Sequence, residues 1–204
     1  MSKISLIINT ACKDPAVAGA SNMYRSGSYG ARYGILKDRV LPAVTTAGFD
    51  EVIVCGVFEP GEGYRYVPMQ PRWRDRRDAL HQRDLGASYA TGDLLVFCHD
   101  DHTPAPGFVE VLQQIALDPD WDLLVPKRLH ALTSAELENG RALDYMGGHC
   151  LVMKRWLWAE VPWTSVNTEW WDVSLTRLWR EAGAKIIWND ELVHLDLEAE
   201  LTEL

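Results

Sequence analysis

The chain has 204 residues, 47% of them hydrophobic, and a formal net charge of -9 at pH 7. This length and apolar content suit one α/β domain with a sizeable core. The negative charge disfavours nonspecific binding to nucleic acid, because phosphate backbones are bound through an excess of Lys and Arg. No apolar stretch approaches the roughly 18 residues that cross a bilayer, and the first apolar run is too short for a signal peptide. We therefore expect a cytoplasmic protein without a transmembrane segment.

The cysteines are widely spaced and include no Cys-x-x-Cys pair; they are Cys12, Cys55, Cys98 and Cys150. This spacing argues against a zinc knuckle and against a dense disulfide framework. We expect reduced thiols.

The first half of the chain alternates strand and helix signals. Residues 4–8 form a continuous apolar run that is typical of a buried parallel strand. Residues 13–34 are rich in Gly, Ala, Ser and Tyr without a clear period, which predicts a long loop. The later patterns predict helices at 35–46 and 75–90, and strands at 51–57, 66–69 and 93–98.

The second half continues the alternation. Pro106 suits the first turn of a helix, whose apolar residues recur at helical spacing from Phe108. A second helix is predicted from about Trp171 to a stop at Gly183, and strands are predicted at 121–125, 150–153 and 184–188. The chain is therefore expected to be a single Rossmann-like α/β domain over 1–204, with a mostly parallel central sheet and helices on both faces.

A polar cluster follows directly after the predicted strand 93–98, and its members are His99, Asp100, Asp101 and His102. The carboxyl ends of parallel strands are where open α/β sheets bind ligands. Carboxylate oxygens suit Mn²⁺ or Mg²⁺, and imidazole nitrogens suit Mn²⁺ or Zn²⁺. The cluster indicates a metal site, and the alternative is a polar turn that binds nothing.

Several motifs in chain order resemble the core signature of family 2 glycosyltransferases, which is an Arg-Asn-x-Gly helix, an Ala-x-Gly-Asp turn, an apolar strand and an Asp-x-Asp metal motif. The matching segments are Arg-Asp-Leu-Gly at 83–86, Ala-Thr-Gly-Asp at 90–93, the strand 94–98 and His-Asp-Asp at 99–101. The resemblance continues in Gly147-Gly148, Trp171-Asp172 and His194, so it covers roughly residues 1–196. Shared order makes the set more specific than any single motif.

The resemblance implies a GT-A glycosyltransferase that moves a sugar from a nucleoside diphosphate donor, UDP being favoured, to an acceptor that the sequence does not identify. Residues 1–103 would form the nucleotide-binding half and residues 104–204 the acceptor-side half. Mn²⁺ or Mg²⁺ would be held by Asp101 and His194, with His102 as the next candidate. Nucleotide contacts are expected from four residues: Thr10, Asp100, Arg83 and Asp84.

The resemblance also implies that Asp172 is the general base of an inverting transfer, with Glu169 as the substitute if the alignment shifts. Asp172 could equally cap the predicted helix, and His194 could be an ordinary surface residue. Two positions depart from the family pattern: His99 replaces the first acidic residue of the metal motif, and Trp171 replaces a Glu. Two other functions therefore stay open, namely a metal-dependent nucleotidyltransferase or hydrolase, and a noncatalytic sugar-nucleotide-binding module.

Two further groups of residues are of interest. Five arginines cluster in this acidic chain, and one or two of them are expected near a diphosphate or an anionic acceptor. They are Arg72, Arg74, Arg76, Arg77 and Arg83. An indole near the start of the late helix could stack on a sugar ring, although core packing is the commoner role of Trp. The candidates are Trp163, Trp170 and Trp171.

Overall fold

The computed structural model describes residues 2–10, 28–69, 76–118, 120–167 and 170–197. These residues form an α/β domain on one curled sheet of nine strands. The predicted α/β fold class is confirmed.

Four parallel strands form the first half of the sheet. They are β1 (Ile4–Thr10), β2 (Glu51–Gly56), β3 (Arg65–Pro68) and β4 (Leu94–His99), in the order β3-β2-β1-β4. The helices are α1 (Ser28–Ile35), α2 (Leu41–Val44) and α3 (Arg76–Tyr89), and a π-helical stretch, Leu36–Val40, joins α1 to α2. All seven residues of β1 are buried, as its uninterrupted apolar sequence predicts.

The second half of the chain adds antiparallel strand pairs to the sheet. Its strands are β5 (His102–Pro104), β6 (Leu123–His130), β7 (Glu136–Leu137), β8 (Cys150–Lys154) and β9 (Ile186–Asp196). Its helices are α4 (Phe108–Ile115), α5 (Arg155–Glu160) and α6 (Trp171–Glu181), with 3₁₀ turns at Arg141–Leu143 and Trp163–Ser165. β8 lies antiparallel between β4 and β6, β9 is parallel to β6, and β5 and β7 pair antiparallel with β9 and β6.

The long strand β9 contains a bulge. Pro126 of β6 pairs with Asn189, but the next residue, Lys127, pairs with Val193, so β9 carries extra residues at this point. The side-chain oxygen of Asn189 accepts the backbone N–H groups of Glu191 at 2.9 Å and Leu192 at 2.8 Å, which closes the bulge. The part of β9 beyond the bulge pairs with β5 and brings His194 opposite Pro104.

The sheet is buried on both faces. Along β1, Ile4, Leu6 and Ile8 belong to one hydrophobic cluster and Ile7 to the other, as the two-residue period of a strand requires. Phe108, Val109 and Leu112 of α4 cover the first face, and Leu80 and Ala87 of α3 with Leu175 and Trp179 of α6 cover the second. The expected helices on both faces are confirmed.

Most predicted elements are present, with different bounds. Residues 28–34 are helical and not part of a loop, because α1 runs on into a stretch whose apolar residues Leu36 and Val40 are buried in the core; the remainder of the predicted loop lies outside the described residues. The strands predicted at 121–125 and 184–188 extend to His130 and Asp196. The short elements β5, β7 and α5 were not predicted.

Two other expectations concern the cysteines and membrane spans. Cys55, Cys98 and Cys150 are buried free thiols, and Cys12 lies outside the described residues. None of the described helices is both long and apolar enough to cross a membrane.

Candidate active site

The polar cluster lies at the carboxyl edge of the parallel strands. β1 ends at Asn9 and Thr10 and β4 ends at His99. Because β8 is antiparallel to β4, it starts at this same edge, and the backbone N–H of His99 donates to the carbonyl of His149 at 3.1 Å. The two glycines before β8, Gly147 and Gly148, are therefore also placed at this edge.

Four histidines lie together at this edge: His99, His102, His149 and His194. The ring centroid of His102 is 5.0 Å from that of His149, 5.2 Å from that of His194 and 6.0 Å from that of His99. The structure thus brings together the predicted ligands His102 and His194. His149 was not predicted to be a site residue. The available signal in the sequence was its position directly after Gly147-Gly148, at the start of a predicted strand.

Three of these histidines, His99, His149 and His194, are held in the neutral form. Burial lowers the pKa of His194 and of His99 well below the usual value; His102 lowers that of His194 further, as Arg83 does for His99. Burial, then His102 and Arg128, lower the pKa of His149 to about 3. At neutral pH each of these three rings therefore carries a lone pair on one nitrogen, which is the form that binds a metal ion.

Asp100 and Asp101 are both buried and share the guanidinium of Arg32. Nη2 of Arg32 lies 2.9 Å from Oδ2 of Asp101, and Nη1 lies 3.6 Å from Oδ1 of Asp100. Nε2 of His102 lies 3.6 Å from the other oxygen of Asp101. The carboxylate of Asp101 is thus bordered by a guanidinium on one side and an imidazole on the other.

His194 is a buried residue, 1% exposed, and not the surface residue that was the alternative. Neither of its ring nitrogens has a hydrogen-bond partner of acceptable geometry among the described residues, although the backbone of Lys127 is near enough to act on its pKa. Buried polar atoms normally have hydrogen-bond partners, so a buried imidazole whose nitrogens lack them is suited to bind a ligand. In their present positions, however, no three His, Cys, Asp or Glu side chains of the described chain converge closely enough to hold a metal ion.

Arg83 is a fully buried cation behind the histidines. Its Nε donates to Oδ1 of Asn9 at 3.0 Å and its Nη2 donates to the carbonyl of Gly148, which ties α3 to β1 and to the segment before β8. Its guanidinium carbon lies 4.3 Å from the ring centroid of Trp163. Nη1 has no hydrogen-bond partner among the described residues. Burial lowers the pKa of Arg83 to about 10, so it stays charged at neutral pH.

Asp84 is fully engaged by the protein. Its carboxylate accepts the indole N–H of Trp158 at 2.8 Å and the backbone N–H groups of Trp163 at 2.9 Å and Thr164 at 2.8 Å. These bonds attach α3 to the 3₁₀ turn Trp163–Ser165. The acceptor oxygens of this expected nucleotide contact therefore already have three protein donors.

The other expected site residues are placed as follows. Thr10 is buried at the end of β1, and its carbonyl accepts the N–H of Val57 at 3.2 Å. Asp172 is half-buried in the first turn of α6, where its Oδ1 accepts the N–H of Val173 at 2.9 Å. This bond occupies a backbone N–H of the first turn, and the N-cap itself is Trp170, which makes no side-chain cap bond. Glu169 lies outside the described residues.

The tryptophans divide between core and surface. Trp163 is completely buried, with ring centroids of Phe97 at 5.0 Å and Trp179 at 5.2 Å, so it is a core residue. Trp171 lies edge-on to Trp163 at 5.9 Å and 5.4 Å from the guanidinium carbon of Arg83. Trp170 is 72% exposed. The side chains of the arginines at 72, 74, 76 and 77 lie outside the described residues.

The comparisons with known proteins agree with this geometry. Residues 63–155, which include β4, the acidic pair and β8, match the sequence model of Glycosyl transferase family 2. No curated protein matches the chain in sequence. The segment 63–155 is therefore similar to family 2 glycosyl transferases, and solved structures of similar fold confirm the predicted GT-A fold.

Three solved structures show the same fold. One is the mannosyltransferase PcManGT from Pyrobaculum calidifontis in complex with GDP-Man and Mn²⁺, at a TM-score of 0.61 and 14% identity, covering 96% of this chain and 57% of that one. The second is TarS 1-349 from S. aureus, at 0.64 and 10%, covering 97% and 61%. The third is TarS 1-349 in complex with UDP-GlcNAc, at 0.58 and 11%, covering 95% and 58%. The present chain thus spans about three fifths of each of these chains.

Proposed function

We propose that the protein is a metal-dependent glycosyltransferase that moves a sugar from a nucleoside diphosphate donor to an acceptor hydroxyl with inversion. One observation carries this proposal: at the carboxyl edge of the parallel strands Asp101 lies beside His102, and His102 lies beside the buried His194, whose ring nitrogens have no hydrogen-bond partner of acceptable geometry among the described residues. This is the edge at which α/β sheets bind ligands.

The residues present fit a divalent cation by their chemistry. Asp101 offers a carboxylate, and His194 offers a neutral ring nitrogen without a hydrogen-bond partner of acceptable geometry in the described part of the chain. His102, between them, is the third candidate. A cation held there would neutralise charge that develops on the diphosphate as the bond to the sugar breaks. Since Arg32 now contacts Asp101, binding requires a local movement of side chains.

The donor would lie along the ends of β1 and β4. Asp100 and Thr10 are proposed to contact the nucleoside, and Arg83 is proposed to stabilise the donor through its charge and its remaining N–H groups. UDP is the proposed nucleotide, by resemblance, and TarS with UDP-GlcNAc supports it; PcManGT with GDP-Man makes GDP the main competitor.

Asp172 is the proposed general base, which takes the proton of the acceptor hydroxyl as its oxygen attacks the sugar's anomeric carbon. This role is supported by the position of the neighbouring residue, Trp171, which packs against Gly148 and lies near Arg83. A cavity of about 370 Å³ lined by Tyr145, Val173 and Thr176 lies beside the same helix turn, and we propose that the acceptor approaches from this side.

Calorimetry with UDP, GDP and dTDP tests the proposal, in buffer with Mn²⁺, with Mg²⁺ or with EDTA. We expect UDP to bind at least tenfold more tightly with metal than with EDTA, and we expect Asp101→Ala to lose this gain. Asp118→Ala, which removes an exposed carboxylate after α4, is the matched control and should bind as wild type does.

Calorimetry, together with assays of sugar transfer and of sugar-nucleotide hydrolysis, can contradict the proposal. Equal affinity for all three nucleotides with metal and with EDTA would rule out a metal-dependent donor site. Tight metal-dependent binding without sugar transfer to any acceptor would instead favour the noncatalytic module. Hydrolysis of the sugar nucleotide without an acceptor, at a rate that no added acceptor changes, would favour the hydrolase.

A further inference from the structure

Arg32 bridges the two acidic residues from a different part of the chain. It lies on α1, and its side chain is 22% exposed, whereas the side chains of Asp100 and Asp101 are 5% and 3% exposed. Its contact with Asp101, at 2.9 Å, has the length of a charge-assisted hydrogen bond. Arg32 was not among the site residues predicted from the sequence.

Buried carboxylates need a compensating charge, because moving an ion out of water is costly unless it is paired and hydrogen-bonded. Arg32 contributes such a charge in the present state of the protein. A divalent cation at Asp101 would provide it as well, so the guanidinium and the metal ion would both be attracted to one carboxylate. Two cations at that site repel each other, and the binding of metal alone therefore competes with Arg32.

A guanidinium released from Asp101 would not lack a partner once a donor is bound. The diphosphate would lie next to the metal, and Arg forms bidentate hydrogen bonds with phosphate oxygens as it does with carboxylates. The partly exposed position of Arg32, beside buried acids, leaves it room to exchange one anion for the other.

We propose that Arg32 is a positioning residue that holds the acidic pair before the donor binds and moves to the donor's diphosphate when a divalent cation takes Asp101. This inference rests on the proposed function. Its consequence is that metal and nucleoside diphosphate assist each other's binding, since the metal displaces Arg32 and the diphosphate accepts it. By linkage this assistance is the same in both directions.

The test is calorimetric titration of Mn²⁺ into wild-type protein and into Arg32→Gln, first without any nucleotide and then with saturating UDP. Without nucleotide, Arg32→Gln should bind Mn²⁺ about tenfold more tightly than wild type, because the competing cation is gone. UDP in the presence of Mn²⁺ should bind the variant about tenfold more weakly, because the diphosphate loses a partner. A merely structural role would weaken both.

Two further variants complete the test. Lys37→Gln removes one positive charge from the same helical stretch, where Lys37 pairs with Glu59 at 3.0 Å on the surface, and it should match wild type in both titrations. Arg32→Lys keeps the positive charge but cannot form a bidentate pair, so its Mn²⁺ and UDP affinities should lie between those of wild type and Arg32→Gln. It also replaces the glutamine variant in the test if that variant melts at a much lower temperature.

The outcomes separate this inference from the proposed function. Mn²⁺ affinity without nucleotide that is unchanged or weaker in Arg32→Gln, and that does not rise in Arg32→Lys, overturns the role of Arg32. Failure of the wild-type protein to bind UDP with Mn²⁺ overturns the proposed function. The effect of Arg32 on Mn²⁺ alone is read without any nucleotide, so it stands or falls by itself.

Discussion

Nη1 of Arg128 lies 3.1 Å from Nε2 of His149. Because a guanidinium has only donors, Nε2 of His149 must accept this hydrogen bond, and the ring proton of the neutral imidazole is then on Nδ1. The same guanidinium pairs with Asp196 at the end of β9, so one arginine connects β6, β9 and the segment before β8.

This arrangement predicts how stability depends on pH. The pKa of His149 is lowered to about 3 in the folded protein, against about 6.5 in the unfolded chain, so between these values the unfolded chain binds one more proton. The contribution of neutral His149 to the free energy of unfolding is therefore complete above pH 6.5 and is lost as the pH falls towards 3. His149→Gln, which can still accept from Arg128, should reduce the slope of unfolding free energy against pH by about 1.4 kcal/mol per pH unit near pH 5. Urea unfolding at several pH values measures it, and an unchanged slope would contradict the assignment.

Gly148 is predicted to tolerate no side chain. A Cβ at this position would lie 1.9 Å from Cη2 of Trp171, against the ring that approaches Arg83. Gly148→Ala should therefore push Trp171 aside, at a cost of about 3 kcal/mol in unfolding free energy. Gly34→Ala is the control: its Cβ meets an ordinary contact at 3.9 Å within α1, and alanine there should stabilise by up to about 1 kcal/mol. Chemical denaturation of both variants compares them, and equal stabilities would contradict the clash.

Asp84 is predicted to matter for stability rather than for donor binding. Asp84→Ala leaves three partly buried donors without their acceptor, and we expect a loss of about 3 kcal/mol in unfolding free energy. Asp190→Ala removes a carboxylate that pairs with Arg141 on the surface, and should cost less than about 1 kcal/mol. Thermal unfolding measures both. If folded Asp84→Ala protein loses metal-dependent affinity for UDP, a direct donor contact by Asp84 would be supported instead.

Asp172→Asn separates catalysis from helix capping. The amide oxygen can still accept the N–H of Val173, so stability and nucleotide affinity should stay near wild type. Loss of a positioned base lowers rates by about 10² to 10⁴, and transfer should fall by a factor in that range. The measurements are initial transfer rate, UDP affinity and the anomeric configuration of the product. Near-normal transfer, or retention of configuration, would remove Asp172 from the role of base.

Local patterns in the sequence were sufficient for the fold class. The apolar runs of β1, β2 and β4 and the helical period of α4 and α6 are short-range signals, and each predicted its element. The sequence could not indicate that β8 inserts antiparallel between β4 and β6, because strand direction depends on contacts between distant segments. The start of α1 was missed because Gly, Ser and Tyr have modest helix propensity, and tertiary packing of the following residues overrides it.

Residues of the candidate site could be predicted from local sequence only where polar, metal-binding side chains come directly after a predicted strand. Asp101 and His102 have that position, and His194 was expected by resemblance. Arg32 carries no local signal, since it reaches the cluster from another element, and the signal for His149 was limited to its position directly after Gly147-Gly148. Such contacts depend on side-chain geometry across the sheet, which no window of sequence contains.

The bulge in β9 makes the spacing of this segment functionally sensitive. Side chains alternate between the two faces of a strand, so inserting or deleting one residue between Val193 and His194 would turn His194 to the opposite face. A length change inside the bulge, where pairing with β6 is interrupted between Asn189 and Val193, would be absorbed before it reached His194. Variation in chain length should therefore be tolerated on one side of Val193 and not on the other, which makes the bulge a natural place to insert an affinity tag or a reporter peptide without disturbing the site.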